Sequence, residues 1–243
     1  MQNLPKKAFI LAAGKGTRML HLTKTCPKPM LKVDDRTMLD HALDSLEAIG
    51  VEEVVVNTYY LADIIEEHLA SRTSPKITIS HETEPLETGG GVKNAIDFFG
   101  DEPFYVLNSD VVWTDNGISS LVAMAEKWDS EKMDLMLLLH PLETALFYDG
   151  SGDYLMTEKC GKALLAKFGR SDKQANYVVA GPRIVHPRLF KDYPTGESSF
   201  VKLFIKAEDA GRLYGFHHDG EWFHVGTPEA LEETNKIFAA KKK

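Results

Sequence analysis

Short apolar runs alternate with amphipathic segments along the first 140 residues of the chain, and this alternation constrains the fold more than any other feature. The runs "AFILAA", "EEVVVNTYY" and "PFYVLNSD" have the apolar character of buried strands, whereas "MLDHALDSLEAIG" carries Leu39, Leu43 and Leu46 on one helical stripe. Strands that alternate with helices form right-handed βαβ units. We therefore predict an α/β protein with a mostly parallel sheet that is covered by helices on both faces.

The other segments predict the remaining elements of this domain. Helices are expected in "LADIIEEHLA" and "ISSLVAMAEKW", a glycine-led helix in "GGGVKNAIDFFG", and strands in "KITISHE" and "DLMLLLH". After about residue 140 the rhythm loosens, and "GDYLMTE", "YVVAGPRIVH" and "GRLYGFHHDGEWFHVG" are predicted to be strands or hairpins. Thr227 as N-cap and Pro228 at the first helical position predict a helix at the end of the chain.

Composition excludes several functional classes. The 243 residues carry a formal net charge of -8, which argues against nucleic acid as a partner because phosphate backbones attract basic surfaces. No apolar run approaches the roughly 18 residues of a membrane span, and "AFILAA" is too short for the core of a signal peptide. The two cysteines, Cys26 and Cys160, form neither a zinc motif nor a disulfide framework. We expect a cytoplasmic protein that contacts neither membrane nor nucleic acid.

A glycine loop follows the first predicted strand. Ligands of open α/β sheets bind outside the carboxyl ends of the strands, and Gly14 and Gly16 stand at that place. Glycines let backbone N–H groups approach a phosphate closely. The loop lacks the Walker A pattern, and Met19 occupies the last position of G-x-G-x-x-G, which disfavours a dinucleotide dehydrogenase. Taken alone, the loop is equally compatible with a tight turn between strand and helix.

Two cations follow the glycine loop. Arg18 comes directly after it, and a guanidinium binds phosphate oxygens in a bidentate manner. Lys28 stands between Pro27 and Pro29, which restrict the backbone on both sides, and Pro29 biases Lys28 towards an extended conformation. An ammonium restricted in this way loses less entropy when it binds an anion. The simpler alternative is a proline-rich surface loop with an incidental lysine.

A carboxylate ends another predicted strand. Asp110 closes "FYVLNSD", so the sheet would carry it to the same edge as the glycine loop. Mg²⁺ in proteins is commonly held by one or two carboxylates together with substrate phosphates. Asp110 is therefore a candidate functional residue at that edge. The alternative is an ordinary turn or capping residue.

Taken together, these motifs resemble the signature of the sugar-1-phosphate nucleotidyltransferases. "LAAGKGTRM", "PKPML", "EPLETGGGVKNA", "VLNSDVVW" and "VGTPEAL" occur in the order and approximate spacing of that family, over nearly the whole chain. The resemblance implies a Rossmann-like three-layer α/β/α fold with a smaller, partly β sugar-binding region. It implies one domain over residues 1–243, with a nucleotide-binding half to about residue 140 and a sugar-binding half with the C-terminal helix after it. The family joins a nucleoside triphosphate to a sugar 1-phosphate and releases pyrophosphate.

The resemblance also implies roles for individual residues. Arg18, Lys28 and Asp110 are the expected catalytic residues. Arg18 holds the β and γ phosphates, Lys28 lies near the α-phosphorus, and Asp110 binds the metal, either Mg²⁺ or Mn²⁺. The expected nucleotide-binding residues also include those of the glycine loop and two residues of "LETGGG". They are Leu11, Ala12, Ala13, Gly14, Lys15, Gly16, Thr17, Glu87 and Gly89. The expected sugar-binding residues are Thr88, Asn108 and Gly181.

The segment "LETGGG" bears on specificity. Many hexose-1-phosphate members carry L-G-T-A-G at this place, whereas "LETGGG" is more similar to the subgroup that transfers uridylyl groups to N-acetylmuramic acid 1-phosphate in cell-wall recycling. We therefore expect UTP and that sugar phosphate as substrates, with mannose-1-phosphate guanylyl transfer as the alternative. The base, the sugar and the oligomeric state stay open at this point.

The chain departs from the family pattern in three places. His224 stands where many members have the aspartate that precedes V-G-T. It would either bind the metal directly, lie beside a metal held by Asp110, or contact substrate and pack beside Trp222. The lysine of the family's E-K-P motif has only a poor match in "TEKC", residues 157–160, and residues 200–211 look shortened. These departures leave open a second class of function, a catalytically weak sensor of nucleotide sugars or a regulatory subunit.

Overall fold

One mixed sheet organises the protein. The computed structural model describes residues 4–156, 158–162, 164–165 and 175–242. Within these residues the strands are β1 (Lys7–Leu11), β2 (Lys32–Val33), β3 (Arg36–Thr37), β4 (Glu53–Thr58), β5 (Lys76–His81), β6 (Phe104–Asn108), β7 (Val111–Thr114), β8 (Leu135–Pro141), β9 (Tyr154–Leu155), β10 (Cys160–Lys162), β11 (Leu164–Leu165), β12 (Tyr177–Val185), β13 (Leu213–His217) and β14 (Glu221–His224). The helices are α1 (Met38–Ala48), α2 (Ala62–Ala70), α3 (Glu87–Asn94), α4 (Ser120–Lys127), α5 (Val201–Asp209) and α6 (Pro228–Lys241).

The main sheet has the order β10-β13-β8-β12-β6-β1-β4-β5, and β9 pairs with β12 while β11 pairs with β9. Strand β1 is parallel to both of its neighbours, β4 and β6, whereas β12 runs antiparallel to β6 and β8. The predicted α/β class with a mostly parallel sheet is confirmed. Strands from both halves of the chain share this sheet, and the proposed division near residue 140 stays a prediction.

Alternating side chains of the sheet bury two separate cores. Ala8 and Ile10 of β1 face one layer, which α1, α2 and α4 cover, whereas Phe9 faces the other layer, which α3 and α5 cover. The three-layer arrangement follows from this period of two, because successive side chains of a strand point to opposite faces. Each fully buried leucine or phenylalanine in these layers contributes roughly 1.5–3 kcal/mol relative to its exposed state.

Capping residues fix the helices that flank the site. The Thr37 hydroxyl accepts from the backbone N–H of Asp40 at 3.0 Å and begins α1, and the Thr227 hydroxyl accepts from the N–H of Ala230 at 3.2 Å and begins α6. The predicted helix at the chain's end is therefore confirmed. In the described part of the chain, no helix combines the length and the apolar character that crossing a bilayer requires.

Two local predictions are modified by the structure. The helix in the glycine segment begins at Glu87 and ends at Asn94, and a separate 3₁₀ turn, Ile96–Phe99, follows it. Strands β13 and β14 do not pair with each other, because β13 joins β8 in the main sheet and β14 pairs with β7 in a small second sheet. Helix α5 occupies most of residues 200–211, and the shortening of this region relative to the family stays a prediction.

Candidate active site

A cleft of about 510 Å³ opens at the carboxyl ends of β1, β4 and β6. The loops after these strands and the beginning of α3 form its walls. Most of the residues predicted from the sequence line this one cleft. They are Leu11, Ala12, Ala13, Gly14, Lys15, Gly16, Thr17, Arg18, Lys28, Glu87, Thr88, Asn108 and Asp110.

The glycine loop packs closely on Lys28. Gly16 has a φ of 60°, and a Cβ placed there would lie 2.8 Å from Cβ of Lys28. Only glycine combines this left-handed backbone with so close a contact. The Thr23 hydroxyl donates to the carbonyl oxygen of Gly16 at 3.1 Å and holds the turn. Gly14, by contrast, is exposed and has open space around it, so its backbone is free to approach a ligand.

Lys28 is buried and paired with Asp110. The side chain of Lys28 is only 8% exposed, and its Nζ donates to Oδ2 of Asp110 at 2.9 Å. The backbone differs from the extended form expected before a proline, because a 3₁₀ turn spans Lys28–Met30. The N–H of Met30 closes this turn on the carbonyl of Pro27 at 2.8 Å, and Pro29 is tolerated in a first helical turn since it needs no N–H partner there.

Electrostatics keep Asp110 ionised. Burial raises the pKa of this carboxyl, but the ammonium of Lys28, with smaller contributions from His224 and Arg18, brings the pKa of Asp110 below its ordinary value. About a third of the Asp110 side chain remains exposed, and the carboxylate lines the cleft. The site therefore holds a negative charge among cations, at the point where a parallel sheet binds ligands.

A divalent cation fits this carboxylate when phosphates complete its shell. In the described ranges no group of three or more His, Cys, Asp or Glu residues forms a metal site by itself. Asp110 offers hard oxygen, which suits Mg²⁺ held by one carboxylate, substrate phosphates and water. His224 lies within electrostatic reach of Asp110, and burial lowers the pKa of its imidazole. Its ring stacks on Trp222 with centroids 5.9 Å apart, and its buried Nδ1 has no hydrogen-bond partner. The role of His224 towards a metal stays a prediction.

The "LETGGG" segment is held in place by a distant part of the chain. The N–H groups of Gly89 and Gly90 both donate to the carbonyl of Ser198 at 2.8 Å, and the N–H of Phe200 donates to the Thr88 hydroxyl at 3.0 Å. Gly89 therefore lies behind the cleft wall, with its N–H engaged inside the protein. Glu87 lines the cleft with a φ of 62°, an uncommon conformation for a residue with a side chain.

Two buried polar residues that the sequence analysis missed connect the walls of the cleft. Asn57 accepts from the N–H of Ala12 at 2.7 Å and donates to Glu82 at 2.7 Å, and the other oxygen of Glu82 accepts from the N–H of Leu86 at 3.1 Å. A Cβ at Gly91 would lie 2.7 Å from both side chains. Burial raises the pKa of Glu82, against these hydrogen bonds. The signal available in the sequence was a polar residue at the end of each apolar strand.

Of the three residues predicted to bind the sugar, two line the cleft and one lies behind it. Thr88 and Asn108 line the cleft, whereas Gly181 lies behind Asn108, where a Cβ would be 3.6 Å from Cβ of Asn108 and 2.9 Å from the side chain of Val111. Gly226 of "VGTPEAL" also lines the cleft, although it was not predicted. Of "TEKC", Thr157 lies outside the described residues, and the exposed Lys159 pairs with Asp219 at 2.9 Å.

A glycine loop, two cations and an ionised aspartate at the carboxyl ends of parallel strands define an α/β enzyme that acts on nucleotides. The nucleotidyl transferase family model matches residues 7–148, and the chain belongs to that family. It is a sugar-1-phosphate nucleotidyltransferase, as its relatives show.

Three comparisons illustrate this membership. The N-acetylmuramate alpha-1-phosphate uridylyltransferase of Caulobacter vibrioides is 37% identical over 95% of this chain and 96% of its own. Mannose-1-phosphate guanylyltransferase 1 of Arabidopsis thaliana is 32% identical over 91% of this chain but only 62% of its own. The solved UDP-glucose pyrophosphorylase of Acinetobacter baumannii has a TM-score of 0.81 at 18% identity, covering 98% of this chain and 94% of that one, which bears on the fold alone.

Proposed function

We propose that the protein joins UTP to N-acetylmuramate α-1-phosphate, forming UDP-N-acetylmuramate and pyrophosphate. The observation that carries this proposal is the match to the uridylyltransferase of Caulobacter vibrioides, which extends over nearly the full length of both chains. The "LETGGG" segment of the cleft wall supports the same subgroup. The guanylyltransferase relative is longer, so this chain covers less of it. UTP is a cytoplasmic nucleotide, and we place the reaction in the cytoplasm, in the recycling of cell-wall sugars.

The reaction requires no nucleophile from the protein. A phosphate oxygen of the sugar 1-phosphate, already ionised, attacks the α-phosphorus of UTP, and the bond to the β-phosphate oxygen breaks to release pyrophosphate. In such a transfer, positioning and charge stabilisation supply most of the rate acceleration. We assign the triphosphate to the glycine loop, where Gly14 leaves the backbone open to a ligand.

Two cations would stabilise the transferring group. Lys28 is fixed by its proline-flanked turn and by Asp110, so its ammonium is already oriented before substrate binds. We assign Lys28 to the charge that grows on the α-phosphate oxygens. Arg18 is exposed at the cleft edge, and its guanidinium suits the β and γ phosphates that depart as pyrophosphate. The glycine loop, Lys28 and Glu87 would then hold the nucleotide, and Thr88 and Asn108 would face the sugar.

Asp110 would hold Mg²⁺, with substrate phosphates completing the coordination. When bound, the cation would neutralise phosphate charge and orient the triphosphate. The carboxylate of Asp110 also keeps the Lys28 ammonium at 2.9 Å, so it serves both the cation and the lysine. Mn²⁺ is a plausible substitute, since the neighbouring His224 imidazole suits that metal better than Mg²⁺.

A matrix of four nucleoside triphosphates against several sugar 1-phosphates, scored by product mass, tests the proposal. We expect UDP-N-acetylmuramate to be the favoured product, with a higher kcat/KM than the pairing of GTP with mannose 1-phosphate. A preference for GTP with mannose 1-phosphate would instead support guanylyl transfer. Absence of pyrophosphate release from every pair would support a sensor or regulatory subunit.

A further inference from the structure

An arginine is buried beneath the floor of the cleft. Arg183 lies in β12, opposite Val106 of β6, and only 4% of the residue is exposed. Among the residues that the structure describes, no carboxylate forms an ion pair with its guanidinium, and Asp110 acts on it only through longer-range electrostatics, which raise the pKa of Arg183 against the larger effect of burial. Its Nε is buried without a hydrogen-bond partner. An arginine in this situation is costly, because charged groups are rarely buried unless they are paired. Its position therefore calls for a function.

The guanidinium of Arg183 is held in one orientation. Its Nη2 donates to Oδ1 of Asn108 at 2.5 Å. Its central carbon lies 4.7 Å from the ring centroid of Phe200 and 5.9 Å from that of Phe204. These aromatic rings fix the plane of the guanidinium by cation–π contact and packing. The arginine can therefore impose its own orientation on Asn108.

The contact decides which end of the Asn108 amide faces the cleft. A guanidinium has only donors, so the amide oxygen must be the atom that faces it. The Nδ2 group is then turned away from Arg183, on a side chain that lines the cleft. Without this partner the two ends of an amide are nearly equivalent in shape, and either could face a ligand.

We propose that Arg183 is a positioning residue of the acceptor site, which holds Asn108 so that Nδ2 donates to an oxygen of the sugar 1-phosphate. The inference rests on the proposed function, since it assumes that a sugar phosphate occupies the cleft beside Asn108. It specifies that the ligand group opposite Asn108 is a hydrogen-bond acceptor, such as a hydroxyl, carbonyl or phosphate oxygen.

A second contact joins the same arginine to the other predicted sugar residue. Phe200, which packs against the guanidinium, donates its N–H to the Thr88 hydroxyl at 3.0 Å. That hydroxyl thereby accepts from the backbone and keeps its own proton available for a ligand. Arg183 and Phe200 thus form one packing unit behind Asn108 and Thr88. Both side chains are presented to the cleft as donors.

Kinetics of Arg183→Met test this role, because methionine keeps the apolar contact with Phe200 and Phe204 but loses the donor. With the sugar 1-phosphate that the parent enzyme uses best, we expect KM for the acceptor to rise about tenfold, the effect of one hydrogen bond. KM for the nucleoside triphosphate should rise less than KM for the acceptor, because the contact assigned to Asn108 is with the sugar phosphate, although Asn108 lies opposite Leu11 of the neighbouring strand. Arg183→Lys, which keeps a donor, should recover part of the loss.

Two further variants keep the test decisive. Asn108→Asp retains an acceptor for Arg183 but removes the Nδ2 donor, so we expect a folded protein with at least tenfold weaker acceptor binding. Arg188→Met is the control, because the Arg188 guanidinium also donates to a side chain, that of Asp134, but lies away from the cleft. It should lower the unfolding temperature without changing either KM.

A thermal double-mutant cycle in the absence of substrate gives a readout that does not depend on the reaction. Arg183→Met, Asn108→Ala and the double variant should show non-additive unfolding free energies if the two side chains are coupled. Additive unfolding free energies would overturn the proposal. It would also be overturned if Arg183→Met raised the KM values of both substrates equally, or if Asn108→Asp bound the acceptor as tightly as the parent. If the parent turns over no sugar phosphate, the proposed function fails, and the cycle alone decides whether Arg183 positions Asn108.

Discussion

Replacing Lys28 by methionine removes the ammonium at the centre of the site while keeping most of the side chain's length. Lys28 is buried and its Nζ lies 2.9 Å from Asp110, so its position is set before substrate arrives. If half a unit of negative charge develops about 3 Å from this ammonium, an effective dielectric constant of about 20 gives a stabilisation of roughly 2.8 kcal/mol. That corresponds to about 100-fold in rate, which is the scale found for preorganised donors at developing oxyanions.

The assay is steady-state pyrophosphate release with saturating substrates, together with circular dichroism and thermal unfolding. We expect Lys28→Met to lower kcat about 100-fold with an unchanged circular dichroism spectrum, because the lysine lies in a short turn between loops and not in the core of the sheet. Lys24→Met is the matched control, since Lys24 is an exposed lysine of the same segment. A kcat for Lys28→Met within about threefold of the parent, or an equal loss in Lys24→Met, would refute the assignment of Lys28.

Further predictions concern the metal, the pH dependence of stability and the acceptor site. Asp110→Asn should nearly abolish activity at every Mg²⁺ concentration. His224→Asp should keep activity and lower the Mg²⁺ concentration needed for half-maximal rate. If the Mg²⁺ and Mn²⁺ titrations of His224→Asp match those of the parent, His224 does not lie near the metal. Arg188 and Arg212 donate to Asp134 and, against the effect of burial, hold its pKa below the ordinary value. A carboxyl whose pKa is lowered in the folded state stabilises the protein at pH values above its unfolded-state pKa. Asp134→Asn should therefore lower the free energy of unfolding by about 1–3 kcal/mol at neutral pH. Urea titrations should show this difference between variant and parent disappear as the pH falls below about 4. Chelation of divalent cations in the parent should stop turnover and leave the circular dichroism spectrum unchanged.

The alternating core of the fold could be predicted from the sequence because its signal is periodic. Strands β1, β4 and β6 are buried on both faces and appear in the sequence as apolar runs. Helix α1 is buried on one face and appears as an apolar stripe with helical spacing. The pairing of β13 and β14 could not be predicted. The sequence left separate strands or a hairpin open for this segment. Each strand finds a partner far away in the chain, β8 and β7, and such contacts leave no local pattern.

The phosphate-binding side of the site could be predicted for a similar reason. Its glycines, Arg18 and Lys28 lie close together in the sequence, and Asp110 marks the end of an apolar strand. Arg183 could not be found in this way, since what distinguishes it is burial beside side chains that are remote in sequence. The pattern "LETGGG" likewise does not reveal that Gly91 closely approaches Asn57 and Glu82, because these side chains lie at the ends of other strands.

The most direct test of the proposed reaction is to follow phosphorus NMR of one sample that contains the protein, UTP, N-acetylmuramate α-1-phosphate and Mg²⁺. We predict that the UTP and sugar phosphate signals decline together and that pyrophosphate and a nucleoside diphosphate sugar appear in equal amounts. In Lys28→Met, both products should form about 100-fold more slowly. Pyrophosphate without the sugar nucleotide, or product formation by Lys28→Met at the parent's rate, would contradict nucleotidyl transfer at this cleft.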